Sequence, residues 1–246
     1  DPRVSPDGRS VAAVREALST PDEPVDSRLV VLALDGIGEA RDVAPDWDLW
    51  VAEHRWSPDG ACLLVTADER GRRPVFRIDL ASGAVVRLTV AAIIVHETEG
   101  AGYGWNVVES AAGENFNIVL PKGAKQPVLL QGPPTGPPPP GTLTEVTTTA
   151  VDGTPLRSWL VLPDAEGPHP LVLWVHGGPL SSWNGWSWRW CPWLLAAQGY
   201  AVLLPDPALS TGYGLDMVRR GWGDWGGAPY TDLMTMTDAA LEHPAV

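Results

Sequence analysis

The residues best placed for chemistry are His176-Gly-Gly-Pro179, directly after the apolar run Leu171-Val-Leu-Trp-Val175. A glycine pair at the end of a strand lets the backbone fold tightly and turns main-chain N–H groups toward a cleft. Two such donors can hold the negative oxygen that develops when a carbonyl is attacked, which is the chemistry of an oxyanion hole. The same four residues also read as a plain structural turn with a packed histidine. The aromatic side chains at Trp183, Trp186, Trp188, Trp190 and Trp193, with Tyr213 in a Gly-Tyr-Gly turn, are candidates for a substrate-facing surface or for packing between layers.

Acyl transfer also needs a nucleophile, and the expected G-x-S-x-G elbow is absent from all 246 residues. Ser187 lies in Gly185-Trp-Ser-Trp-Arg189 and Ser210 in Ala208-Leu-Ser-Thr-Gly212; neither fits. Asp206, Asp224, Asp232 and His243 are not assigned to a triad, which needs a nucleophile, a base and an orienting acid converging in space. His54, His96, His169 and His243 stand alone, without a second histidine or cysteine at ligand spacing, so no metal site is expected. Gly223-Asp-Trp-Gly-Gly227 lacks the Lys-Ser/Thr of a phosphate loop, and no cofactor is expected.

Two kinds of element must position these residues. Ser5-Pro-Asp-Gly8 recurs as Ser57-Pro-Asp-Gly60, each a turn with Pro at the second position and Gly at the positive-φ position. Strand-like runs follow each copy, at 10–14 and 28–34, and at 62–66, 74–80 and 85–89. A period of roughly 40–50 residues with several short strands per unit predicts propeller blades. A third blade is expected to include strands near 117–120 and 127–130, with a loop at 100–104. Only two to three blades fit before residue 133, so an open arc is expected rather than a closed ring.

Gly132-Pro-Pro-Thr-Gly-Pro-Pro-Pro-Pro-Gly141 reads as a stiff linker. The expected organisation is a partial β-propeller at 1–131, a linker at 132–141 and an α/β unit at 142–246. The last opens with a hairpin, 143–150 and 156–162, around Asp152-Gly153. It continues with buried strands at 171–175 and 200–204, a helix over about 190–198 ending at Gly199, and a helix over 230–241 with Thr231 as N-cap candidate. That order is the opening of an α/β-hydrolase sheet.

The net charge of −13 is spread over both halves and argues against binding to a phosphate backbone. No apolar run reaches the length of a membrane span. Cys62 and Cys191 are expected to be unpaired small hydrophobes, and the chain is expected in the cytoplasm. Nothing in the sequence sets an oligomeric state.

The ordered set His176-Gly-Gly-Pro179, Leu195-Ala-Ala-Gln-Gly-Tyr-Ala-Val-Leu-Leu-Pro-Asp206, Ser210-Thr-Gly-Tyr-Gly214, Trp222-Gly-Asp-Trp-Gly-Gly227 and Tyr230-Thr-Asp-Leu233 resembles the hydrolase domain of prolyl oligopeptidase-family serine peptidases. The likeness is to the acylaminoacyl-peptidase and dipeptidyl-peptidase-like branches. It implies a peptide substrate, an acyl-enzyme mechanism, and Gly178 as the residue whose backbone N–H enters the oxyanion hole, with Gly177 in the same loop. His176, Trp183 and Tyr213 become candidates for contact with substrate. The resemblance also implies that serine, acid and base follow residue 246, leaving these residues inactive by themselves. Pro207-Ala-Leu-Ser210 departs from the Arg-Gly-Ser run of many relatives. An esterase-type hydrolase and a non-catalytic binding module are the alternatives.

Overall fold

In a computed structural model, the chain is described over residues 2–36, 38–89, 139–185 and 189–246, with the backbone of four further strands between 92 and 130. Three four-stranded antiparallel sheets come first. The first contains β1 (Arg3–Val4), β2 (Ser10–Ala17), β3 (Asp26–Ala33) and β4 (Arg41–Asp42). The second contains β5 (Val51–Trp56), β6 (Cys62–Ala67), β7 (Val75–Asp79) and β8 (Val85–Arg87). The third contains β9 (Ala92–His96), β10 (Tyr103–Glu109), β11 (Phe116–Leu120) and β12 (Val128–Leu130). Each is a meander of neighbouring strands. The expected strands at 117–120 and 127–130 coincide with β11 and β12, whereas most of the loop expected at 100–104 lies outside the described residues.

The repeated tetrapeptide builds the same turn twice. Ser5 Oγ donates to Asp7 Oδ1 at 2.6 Å and accepts the Ser10 amide at 2.9 Å, while Gly8 N–H reaches Ser5 O at 2.9 Å. Ser57, Asp59, Gly60 and Cys62 repeat these bonds at 2.6, 3.0 and 2.9 Å. A strand precedes each turn, β1 and β5, and neither was expected from the sequence. In β5 the polar residues mask the pattern: Val51, His54 and Trp56 are buried although Glu53 and Arg55 interleave them. The first two sheets share one apolar core, with Ala12, Leu29 and Val43 packed against Leu63, Phe76 and Ile78. Trp56 Nε1 donates to Arg3 O at 2.8 Å across that seam.

The fourth sheet is mixed. β13 (Gly141–Thr149) and β14 (Pro155–Pro163) form the expected hairpin; β16 (Ala201–Asp206) pairs antiparallel with β14 and parallel with β15 (Leu171–Leu173). Gly141, read as the end of the linker, is already paired with Pro163. β16 is central and wholly buried, as its apolar run requires. β15 is shorter than expected and only half-buried, because it borders the sheet on one side, and Val175 beyond it is 45% exposed. One face of the sheet packs Leu156, Leu160, Leu203, Met236 and Ala240; the other packs Trp159, Val161, Trp183, Val202 and Leu204.

Helix boundaries differ from the sequence reading in ways that proline explains. α1 (Trp193–Ala196) begins only after Pro192, and Gly199 closes the following turn at φ +86. α2 (Leu215–Arg219) was not expected. α3 (Ala228–Leu241) starts two residues early, with Gly227 rather than Thr231 at the N-cap. Pro229 suits its first turn because no hydrogen bond is asked of its nitrogen. Both cysteines are unpaired. Among the described residues no helix is long and apolar enough to cross a membrane.

Candidate functional site

Three of the sequence-predicted residues, His176, Trp183 and Tyr213, meet around one carboxylate. Asp206, the last residue of β16, is 0% exposed. Its Oδ1 accepts the Trp183 amide at 2.9 Å, and its Oδ2 accepts the Tyr213 hydroxyl at 2.6 Å. Arg157 Nη1 lies 3.6 Å from Oδ2 and His176 Nε2 lies 3.9 Å from Oδ1. Burial pushes the Asp206 carboxyl above its usual range, against the pull of Tyr213, Trp183, His176 and Arg157. Burial and the adjacent carboxylate also raise the Tyr213 phenol, so Tyr213 is held as a neutral donor.

His176, Trp183 and Tyr213 therefore have structural partners. Trp183 is 7% exposed; it donates Nε1 to Trp174 O and accepts Trp159 Nε1 at its own carbonyl, both at 3.0 Å. His176 Nε2 sits 3.0 Å from Ser210 Oγ, and Nδ1 sits 3.1 Å from Gly177 O. The trio Ser210, His176 and Asp206 has the residue types of a catalytic triad but not its geometry. Both partners address the same ring nitrogen, whereas a triad needs the acid on Nδ1 and the nucleophile on Nε2. Ser210 is also 0% exposed. The cluster orients the loop instead.

Gly177 and Gly178 differ from these three. Both are exposed, and among the described residues neither N–H has an acceptor. Gly178 takes φ +140, and a Cβ there would stand 2.8 Å from the Leu180 nitrogen, so glycine is required. Two exposed glycines whose amides have no acceptor among the described residues thus lie just beyond a parallel strand, on a loop fixed from behind by His176. Trp186 and Trp188 lie outside the described residues; Trp190 is 47% exposed and edge-on to Trp174 at 5.9 Å.

Asp232 and His243 have side-chain partners elsewhere, and Asp224 lies in the turn before α3. Asp232 accepts Ala208 N–H at 2.9 Å and both Arg220 terminal nitrogens, which holds the turn after β16. Asp224 O accepts the Gly227 amide, and His243 Nδ1 accepts the Ala245 amide. The sequence reading missed Asp206, Arg157 and Ser210 as organisers. The signal for Asp206 was its place at the carboxyl end of an apolar strand.

The meander sheets press on this site. Between β6 and β7, Glu69 and Arg72 close a two-residue turn through Arg70 and Gly71, both at positive φ. Gly71 O accepts Trp159 Nε1 at 3.1 Å, and a Cβ on Gly71 would stand 1.9 Å from Arg157 Nη1. Arg72 and Arg157 lie over the Trp159 ring at 4.5 and 3.8 Å, and both bond Glu145.

The sequence profile of the prolyl oligopeptidase family matches residues 186–246. Dipeptidyl-peptidase 5 of Trichophyton equinum is 31% identical over 98% of this chain and 35% of its own length. Probable dipeptidyl-peptidase 5 of Aspergillus clavatus is 30% identical over 95% and 34%. The chain thus spans about a third of the length of these curated relatives. Among solved structures, Pyrococcus horikoshii acylaminoacyl peptidase superposes with a TM-score of 0.73 at 17% identity, over 96% of this chain and 37% of that one. Prolyl oligopeptidase B from Galerina marginata superposes with a TM-score of 0.71 at 12% identity, over 99% and 43%. Residues 186–246 thus match the prolyl oligopeptidase family, and nearly the whole chain is similar in sequence to part of these dipeptidyl-peptidases 5.

Proposed function

We propose that this chain supplies the oxyanion-binding part of a serine-type peptidase that cleaves short peptides through an acyl-enzyme. Residues 1–131 are read as an arc of propeller blades, 132–141 as the linker, and 142–246 as the opening of the α/β-hydrolase domain. The observation that carries the reading is the exposed pair Gly177 and Gly178, whose amides have no acceptor among the described residues, just beyond β15 on a loop braced by His176. In that role the Gly178 N–H donates to the oxygen that becomes negative as the scissile carbonyl turns tetrahedral, and the nucleophile elbow supplies the second donor. Peptide is the proposed substrate, since the relatives are peptidases by name.

The test is Gly178→Ala in a polypeptide that carries this segment together with a G-x-S-x-G elbow. The added methyl forces the loop away from Leu180, and loss of one oxyanion donor is expected to lower kcat roughly 10²–10³-fold. An unchanged kcat in a folded variant would make the loop a structural turn.

The 246 residues contain no G-x-S-x-G, and Ser210, the serine beside His176, is buried. We therefore propose that they do not turn over substrate by themselves. Stoichiometric labelling of this polypeptide by a fluorophosphonate probe would contradict that reading.

A further inference from the structure

The loop that carries Gly177 and Gly178 is gripped at both ends by two adjacent residues. At its start, His176 Nε2 meets Ser210 Oγ at 3.0 Å. At its far end, Ser181 O accepts the Thr211 amide at 2.9 Å. Ser210 and Thr211 thus close a clamp across residues 176–181. The clamp is itself held from the meander sheets: Thr211 Oγ1 donates to Asp68 Oδ2 at 2.6 Å, and the next carbonyl, Gly212 O, accepts the Arg70 amide at 3.1 Å. Asp68 is not free to swing, because its Oδ1 accepts Arg73 Nε at 2.7 Å.

We infer that Asp68, in the connection between β6 and β7, is a positioning residue for the Gly177–Gly178 loop, acting through Thr211. The physical reason is the length of the loop. Two glycines in six residues give it many conformations, and donors that must meet a transition state have to be fixed before the reaction. One short hydroxyl–carboxyl bond, 2.6 Å long and partly buried, tethers the clamp to Asp68. Asp68 lies 143 positions before Thr211 in the chain, so the placement of the oxyanion donors depends on how the meander half seats against the mixed sheet. This inference rests on the oxyanion reading for its catalytic consequence, but the clamp can be tested without turnover.

The experiment is hydrogen–deuterium exchange on the 246-residue chain, comparing wild type with Thr211→Val, Thr211→Ser and Asp68→Ala. Thr211→Val keeps the shape and removes the hydroxyl, so it carries the test if Asp68→Ala does not fold. Exchange at the Thr211 amide, which reports the Ser181 end of the loop, and at the Arg70 amide on Gly212 O is expected to rise at least roughly tenfold in Thr211→Val and Asp68→Ala, while Thr211→Ser keeps the wild-type rate and 201–206 stays protected in all. Unchanged exchange in Thr211→Val, or a rise shared equally by 201–206, overturns the clamp. In a polypeptide bearing the elbow, Thr211→Val is further expected to lower kcat roughly tenfold to a hundredfold at constant KM. If exchange rises in Thr211→Val while kcat falls in neither Thr211→Val nor Gly178→Ala, the clamp exists and the oxyanion reading fails; if kcat falls in Gly178→Ala alone, the oxyanion reading stands and the positioning role of Asp68 is overturned.

Discussion

Asp48 and Leu215 stand 167 positions apart, yet the Asp48 Oδ2 accepts the Leu215 amide at 2.9 Å. Helix α2 has glycine at its N-cap and no capping side chain of its own, so the acceptor comes from the meander half. Asp48→Ala is expected to lower stability by about 1 kcal/mol, the usual worth of an N-cap, and Asp48→Asn to lower it much less, because the amide oxygen still accepts. Urea denaturation of the two variants checks this; equal losses would show that charge, rather than capping, matters at this position.

Leu209 presents the opposite economy of backbone and side chain. It holds φ +79, a conformation costly for a branched side chain, while its side chain is 2% exposed among Leu215, Val218, Trp50 and Trp222. The run at 207–210 thus keeps a backbone that suits glycine and fills the space beside it. Leu209→Gly loses about 2–5 kcal/mol of packing but relieves about 1–3 kcal/mol of strain. Leu209→Ala loses similar packing and keeps the strain. Glycine is therefore expected to be the more stable of the two variants by about 1 kcal/mol, the reverse of the order in a helix. A more stable alanine variant in thermal unfolding would contradict the strain assignment.

These two cases mark what could be read from the residues. The Ser-Pro-Asp-Gly repeats, the Asp152-Gly153 hairpin and the continuous apolar run of β16 are local signals, and the structure follows them. The glycines of the candidate loop were legible for the same reason, since only a local backbone requirement places Gly178. Helix α2 was not, because its cap lies 167 residues away. Asp206 was not, because its role depends on Trp183, Tyr213 and Arg157 arriving from three other segments. His176 and Tyr213 were singled out for substrate, and their polar atoms are met by Ser210 and Asp206, which sequence spacing alone does not reveal.

His54 gives the meander half a pH response. It is 4% exposed, with Nε2 3.2 Å from Ala12 O, and burial pushes its pKa below 6.5 despite that carbonyl. The unfolded chain then binds a proton that the folded chain resists. Stability is complete above about pH 6.5 and falls as pH drops below it, by at most about 1.4 kcal/mol per pH unit for one group. His54→Gln removes the titration. Between pH 7.5 and 5.5 the wild type is expected to lose more stability than His54→Gln, by urea midpoint; parallel losses would show that His54 titrates normally.

The Asp206 carboxylate should respond to pH in the other sense. Its pKa is raised above the ordinary 3.8 by burial, so the folded chain holds its proton where the unfolded chain has released it. The contribution of this group is therefore greatest below about pH 3.8 and is lost as pH rises through the folded pKa. Asp206→Asn mimics the neutral form. Its carbonyl can take the Trp183 amide, and the Tyr213 oxygen can accept from its NH₂, so two of the observed bonds have replacements. A cost of about 1–2 kcal/mol is expected for Asn at neutral pH, against about 3–5 kcal/mol for Asp206→Ala, which leaves the Arg157 guanidinium without its buried carboxylate and opens a cavity. Arg157 keeps Glu145 at 2.9 Å in either variant, which bounds the loss. The decisive measurement is the difference between wild type and Asp206→Asn as a function of pH: it is expected to shrink as pH rises from 3.8. A difference that grows over that range would mean that the carboxylate is stabilised in its ionised form, and that Tyr213, Trp183 and Arg157 outweigh burial at the site.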